Sequence, residues 1–146
     1  MYLLNKEFTQ FEAKCLWLTG LPGAGKSTIA ASIKKKLILS GCPTYILDGD
    51  NIRKGINNDL SFSLSDRTEN TRRIAEIAKL FIDAKIMTLV ASICPLENQR
   101  KLAKKIISKD KYIEIYISTP LEVCMQRDPK QHYNMANNGE ISPRLK

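Results

Sequence analysis

The sequence predicts an α/β fold of three layers, a mostly parallel sheet with helices on both faces. Three observations carry that prediction. Strand-like and helix-like segments alternate along the chain, which is the pattern of crossover connections. Residues 86–92, Ile-Met-Thr-Leu-Val-Ala-Ser, form a nearly continuous apolar run, as strands covered on both sides do. A glycine-rich loop, Gly20-Leu21-Pro22-Gly23-Ala24-Gly25, stands between a strand signal and a helix signal.

Taken in order, the first strand is Cys15–Thr19, Cys-Leu-Trp-Leu-Thr. A helix follows over Lys26–Leu39 and stops near Gly41. Cys42-Pro43 leads into a strand at 44–47, which ends on Asp48-Gly49-Asp50, good turn chemistry. Residues 51–65 read as a short helix plus loop. A helix is expected over 66–84, with Ile74, Ile77, Ala78, Phe81 and Ile82 at helical spacing. The apolar run 86–92 is a buried strand, and Pro95 marks the loop after it. Residues 97–108 make a basic amphipathic helix, 112–117 a further strand, and Leu121–Arg127 a short helix after the Thr119-Pro120 turn. Beyond Asp128-Pro129 the chain turns polar, with His132, Asn134, Asn137 and Asn138. Neither an internal repeat nor a low-complexity linker interrupts the chain, so residues 1–146 are expected to form one domain.

The loop has a chemistry of its own. Gly20-Leu21-Pro22-Gly23-Ala24-Gly25-Lys26-Ser27-Thr28 is a phosphate-binding loop. Its glycines let the backbone curl so that successive N–H groups face phosphate oxygens. Lys26 reaches the β- and γ-phosphates, the Ser27 hydroxyl takes a coordination place on Mg²⁺, and the helix behind adds its positive end. A turn that merely joins strand to helix is the alternative, but strand, loop, Lys-Ser-Thr and helix stand in register. Binding of a nucleoside triphosphate follows, in a P-loop NTPase fold.

Bulk properties exclude other classes. Hydrophobic content of 43% and charged content of 26% are those of a globular protein. No apolar run approaches the roughly 20 residues of a membrane helix, and Met1–Glu7 lacks the long apolar stretch and cleavage site of a signal peptide. No membrane partner and a cytoplasmic location are therefore expected. Cys15, Cys42, Cys94 and Cys124 show no paired spacing, and with one histidine there is no zinc set. Cys15 and Cys124 lie in apolar surroundings as core thiols. The net charge of +8 invites a nucleic-acid reading. However, Lys34, Lys35, Lys36, Lys101, Lys104, Lys105 and Lys109 sit on helix surfaces without interleaved aromatics, so no nucleic acid is expected. The charge would serve to steer small polyanions.

A second half of the site follows the second strand. Asp48-Gly49-Asp50-Asn51-Ile52-Arg53 puts two carboxylates and an arginine where a triphosphate would end. One carboxylate, Asp48 or Asp50, suits Mg²⁺ through water, and the other suits a proton leaving an attacking hydroxyl. Arg67 and Asn70 share a helix face near its start, suited to a second anion. Phe62, in a polar loop, either stacks on a base or plugs the core, and the residues alone leave both open.

These segments carry a resemblance. Trp17-Leu18-Thr19-Gly20-Leu21 through Lys26-Ser27-Thr28-Ile29-Ala30, Leu47-Asp48-Gly49-Asp50-Asn51-Ile52-Arg53, Asp59-Leu60-Ser61-Phe62-Ser63 and Asp66-Arg67-Thr68-Glu69-Asn70-Thr71-Arg72-Arg73-Ile74-Ala75-Glu76 resemble the adenylylsulfate (APS) kinase family. The match continues through Ile93-Cys94-Pro95, Ser118-Thr119-Pro120-Leu121-Glu122-Val123-Cys124 and Arg127-Asp128-Pro129-Lys130, nearly the whole chain. The resemblance implies transfer of a phosphoryl group from ATP, with Mg²⁺, to the 3′-hydroxyl of adenosine 5′-phosphosulfate. It makes Asp50 the acid nearest that hydroxyl. Lys26 and Arg127 join the loop on ATP. Arg53, Arg67 and Asn70 grip the phosphosulfate, while Phe62, Ile93, Cys94 and Pro95 line the adenine pocket. It also suggests a homodimer.

Three departures bear on these expectations. The family usually has serine where this chain has Cys94, and a thiol is the weaker hydrogen-bond partner. With no base near it in sequence, Cys94 is not expected to be reactive. Where the family places a basic cover, Leu-Tyr-Lys-Lys-Ala-Arg, this chain reads His132-Tyr133-Asn134-Met135-Ala136-Asn137. The family then continues into Phe-Thr-Gly-Ile and a final strand and helix where this chain has Ser142-Pro143-Arg144-Leu145-Lys146. The C-terminal end therefore reads as shortened, and reduced turnover is expected from a thinner cover.

Overall fold

The computed structural model describes residues 11–129 and 131–138. Four strands, β1 (Cys15–Thr19), β2 (Thr44–Asp48), β3 (Met87–Ala91) and β4 (Tyr112–Tyr116), form one sheet in the order β2-β3-β1-β4. Among the described residues every pairing is parallel, in keeping with the mostly parallel sheet expected. The central strand β1 pairs with β3 on one side (Cys15 with Thr88) and with β4 on the other (Cys15 with Tyr112).

The layers follow from the alternation of side chains along each strand. On β1, Cys15 and Trp17 point to one face and Leu16 and Leu18 to the other. The Trp17 face packs against α3 (Leu64–Asp83) through Ile74, Ala75, Ala78 and Ile82, and against α4 (Glu97–Ile107) through Ala103 and Ile107. The Leu18 face packs against α1 (Lys26–Leu39) through Ile29, Ala30, Ile33 and Leu37, with Leu89 of β3 beneath them. Trp17, Leu18, Ile74 and Leu89 are fully buried, each contributing about 1.5–3 kcal/mol of hydrophobic burial. This is the three-layer arrangement read from the sequence.

Boundaries shift where capping outweighs periodicity. α2 (Gly49–Lys54) starts directly after β2, because the Asp48 carboxylate accepts the Asp50 N–H. α3 starts at Leu64, two residues early, because the Ser63 hydroxyl accepts the Asp66 N–H. α5 (Leu121–Arg127) falls as expected. One helix has no counterpart among the elements read from the sequence: α6 (His132–Asn137), in the stretch that turns polar. The Asp128 carboxylate accepts the N–H groups of Tyr133 and Asn134 at 3.1–3.2 Å, satisfying donors that a polar hexamer would otherwise leave to water. Lys130 and residues 139–146, which include the expected shortened end, lie outside the described residues, as does the stretch Met1–Glu7 in which no signal peptide was expected. Among the described residues no helix is long and apolar enough to cross a membrane.

Candidate active site

The loops at the carboxyl ends of the parallel strands converge on one cleft of about 830 Å³, the place where open α/β sheets bind ligands. One end is the phosphate-binding loop. Gly25 takes φ +99° to turn the chain into α1, and Gly23, at φ +75°, lies against the backbone of α5. Pro22, Gly23, Ala24, Gly25, Lys26, Ser27 and Thr28 line the cleft, whereas Gly20 and Leu21 do not. Those two residues act behind the wall: Lys26 Nζ donates to Gly20 O and Leu21 O, both at 2.8 Å. From neighbouring elements, Thr119 Oγ1 donates to Ala24 O at 2.8 Å and Arg127 Nη1 to Gly23 O at 3.4 Å. The Tyr133 hydroxyl of α6 donates to Pro22 O at 2.9 Å.

Ser27 Oγ donates to Asp48 Oδ2 at 2.7 Å. A hydroxyl and a carboxylate oxygen therefore meet at one point beside the loop. This hard-oxygen pair fits Mg²⁺, which takes one or two protein oxygens and fills its octahedron with water and phosphate oxygens. No three His, Cys, Asp or Glu gather into a metal cage among the described residues, so the donor set suits an ion that arrives with phosphates. Asp50, exposed on the first turn of α2, lines the same cleft.

The far end is built by α2, α3 and the loop between them. Arg53, Phe62, Arg67 and Asn70 all line it, with Ile93, Cys94 and Pro95 from the loop after β3. Phe62 is 50% exposed, which removes the core-plug reading, and the Arg53 guanidinium lies 4.5 Å from its ring centroid. Both arginines also hold the Phe62 loop. Arg53 Nη1 donates to Ser61 O at 3.0 Å and Leu60 O at 3.3 Å, and Arg67 Nε donates to Phe62 O at 3.0 Å. Ser61 is held in turn by the Asp66 carboxylate. Asn70 is buried and accepts from Asn57 Nδ2 at 2.9 Å.

Arg72 and Arg73 do not join the site. Arg73 pairs with Asp59 through two N–H groups at 2.7 and 2.9 Å, donates to Ile56 O at 3.3 Å, and shares Glu69 with Arg72. Hydrogen bonds from Arg72 and then Arg73 hold the Glu69 carboxyl down at about 2. Those two arginines of the α3 motif thus brace the loop instead of facing the cleft. Cys94 is buried, its Sγ 3.8 Å from Thr71 Oγ1. Burial pushes its thiol up to about 11 against the smaller opposing effects of Thr71 and Arg100, so it is not an activated nucleophile.

Sequence reasoning missed several lining residues: Thr71, Gln99, Thr119, Asp128 and His132. Thr119 and Asp128 did carry a signal, since Thr-Pro and Asp-Pro each mark a loop beside a strand or helix end. Gln99 carried none, because a glutamine inside a basic helix looks solvated and only the packing of α4 on α3 buries it.

Known proteins share this arrangement. The family profile described as adenylylsulphate kinase matches residues 12–143. The adenylyl-sulfate kinase of Clostridium acetobutylicum is 54% identical over 126 residues, covering 86% of this chain and 62% of the relative. That of Bacteroides thetaiotaomicron is 53% identical, covering 86% of this chain and 63% of the relative. The chain therefore spans a little over six-tenths of the length of these relatives. The structure of the Mycobacterium tuberculosis APS kinase CysC in complex with AMPPNP and APS superposes with a TM-score of 0.86 at 44% identity, covering 90% of this chain and 77% of that one. A hexameric APS kinase from Thiobacillus denitrificans gives a TM-score of 0.66 at 32% identity, covering 77% of this chain and 24% of that one.

Proposed function

The chain belongs to the adenylylsulphate kinase family, and on that premise we propose that it transfers the γ-phosphoryl group of ATP to the 3′-hydroxyl of adenosine 5′-phosphosulfate. The product is 3′-phosphoadenosine 5′-phosphosulfate, the activated sulfate used in assimilation. One observation carries the reading. The phosphate loop with its Ser27–Asp48 pair, the Asp50 carboxylate, and the Arg53–Phe62–Arg67–Asn70 set line a single cleft. A donor and an acceptor polyanion therefore fit end to end.

In this reading Lys26 exchanges its loop carbonyls for phosphate oxygens. Ser27 and Asp48 hold Mg²⁺, which neutralises phosphate charge when bound. Asp50 accepts the proton of the attacking hydroxyl, and that hydroxyl oxygen bonds to the γ-phosphorus as the bond to the ADP oxygen breaks. Arg53, Arg67 and Asn70 hold the phosphosulfate, Phe62 covers the adenine, and Ile93, Cys94 and Pro95 close the pocket. Arg127 steadies the phosphate loop through Gly23. Positioning and charge stabilisation supply the rate, since phosphoryl transfer asks for little covalent work from the protein. We take residues 1–146 as one kinase domain. The resemblance suggests a homodimer while one solved relative is described as hexameric, and sedimentation of the purified chain decides between them.

A second reading, a nucleotide-binding module with little turnover, is favoured by α6. That helix reaches the phosphate loop through Tyr133 yet carries no lysine or arginine. ADP release with Mg-ATP plus adenosine 5′-phosphosulfate, against ATP alone and against other acceptors, separates the two. Acceptor-dependent turnover that Asp50→Ala abolishes, with ATP binding kept, is the expected result. ATP binding without acceptor-dependent turnover overturns the kinase reading, and an unchanged rate in Asp50→Ala removes Asp50 from the chemistry.

A further inference from the structure

Asn57 lies in the loop between α2 and α3, wholly buried although its neighbours Ile56 and Asn58 are exposed. Its backbone is tied on both sides: its N–H donates to Ile52 O at 2.9 Å, and its carbonyl accepts the Leu60 N–H at 3.2 Å. Its side-chain Nδ2 donates to Asn70 Oδ1 at 2.9 Å. Its own Oδ1 is buried with no hydrogen-bond partner among the described residues. An orphaned buried acceptor costs free energy that an apolar side chain of the same shape would avoid. Asn57 does one thing for the cleft that an apolar residue would not. An amide has an acceptor end and a donor end, and Asn57 engages the acceptor end of Asn70.

We propose that Asn57 is a positioning residue that sets the amide of Asn70, so that the NH₂ end and not the carbonyl faces the anionic group of the acceptor, beside Arg53 and Arg67. The proposal rests on the acceptor reading above. A carbonyl turned to the same place would set a partial negative charge against an anion already drawn there by two guanidiniums, and Asn70 would oppose the binding it is built to support. The charged groups on the elements flanking position 57 are Asp50, Arg53 and Lys54 on α2, Asp59 in the loop, and Asp66, Arg67, Glu69, Arg72 and Arg73 in the first half of α3. The guanidiniums keep their charge at any working pH, and hydrogen bonding to arginine holds the Asp59 and Glu69 carboxyls below their ordinary range.

Two variants and the wild type test this. Asn57→Leu removes both the donor and the orphaned acceptor. The KM for adenosine 5′-phosphosulfate should rise about five- to tenfold, with the KM for ATP unchanged and the melting temperature kept. Asn57→Asp discriminates. Its ionised carboxylate accepts from Asn70 Nδ2 and turns that amide round, so its acceptor KM exceeds that of Asn57→Leu. Its protonated form again donates to Asn70 Oδ1, so its acceptor KM falls as the pH is lowered, a dependence absent from wild type and Asn57→Leu. Equal acceptor KM in all three proteins, or parallel losses for ATP and acceptor, overturns the positioning role while leaving the kinase reading intact. If wild type shows no acceptor turnover, or a variant does not fold, side-chain amide NMR of the free wild type decides. Slower hydrogen exchange at Asn57 Nδ2 than at Asn70 Nδ2 upholds the orientation, and the reverse overturns it.

Discussion

At Gly23 a single backbone position constrains two elements. The residue sits at φ +75°, and a Cβ there would lie 2.9 Å from Cys124 O in α5. Gly23→Ala must therefore adopt a left-handed conformation and push α5 away. The expected cost is about 1–3 kcal/mol, read as a lowered melting temperature together with weaker ATP binding, because Arg127 moves with α5. An ATP affinity unchanged by the substitution would show that α5 and the loop are not coupled. Cys94 supports a second expectation. Its thiol, buried and pushed up to about 11, should resist alkylation in the native protein at neutral pH and react on unfolding, as mass spectrometry of the labelled peptide can read. A folded value above the unfolded one keeps its full contribution below about pH 9 and loses it as pH rises toward 11. What a single residue does was only partly legible from sequence. Phe62 is ambiguous until its exposure is known. Asn57 in Ile-Asn-Asn-Asp is indistinguishable from turn chemistry until packing buries it.

At the scale of elements, α3 decides how the far end of the cleft, the acceptor end in the proposed reaction, is held. Its face carries Asn70 and Arg67 toward the cleft, and Arg73 outward to Asp59 and Ile56 O. An exposed ion pair is worth little alone, about 0–1 kcal/mol. Arg73→Ala should accordingly leave the melting temperature at neutral pH little changed yet raise the acceptor KM, since it frees the loop that carries Phe62. A rise in the KM for ATP alone would contradict that role. The same brace sets an acid limb. Glu69 is held at about 2 by Arg72 and Arg73, and Asp59 is lowered chiefly by its hydrogen bond to Arg73. A depressed carboxylate contributes above its ordinary value near 4.5, and that contribution is lost as pH falls toward 2. Melting temperature measured across that window should fall, and should fall less steeply in Arg73→Ala. Most elements were legible because glycine-rich and proline-bearing turns punctuate them, as at both ends of α1. The exception, α6, has its capping carboxylate on Asp128, several residues ahead of the helix and outside the spacing by which a cap is recognised.

The molecule as a whole gathers Lys26, Arg53, Arg67 and Arg127 around one cleft, with Asp48, Asp50 and Asp128 among them, in a chain of net charge +8. The two anionic ligands of the proposed reaction should be drawn in from a distance, so kcat/KM for both should fall as ionic strength rises past the point where the Debye length shrinks to about 8–10 Å. A flat salt dependence would confine the charge to local contacts. Why the three-layer fold could be read from sequence while the site could be read only in part is a matter of range. Layering follows from alternation within five-residue strands, whereas the cleft needs residues from the ends of all four strands at once. That same arrangement has a consequence for how the chain is made. Among the described strands β1 comes first along the chain, yet its partners for Cys15 are Thr88 and Tyr112. The strand that anchors the phosphate loop thus stays apolar and unpaired until β3 and β4 have been synthesised. During that interval an unpaired apolar strand is open to aggregation, so slowing synthesis between β1 and β4 should lower the yield of folded protein.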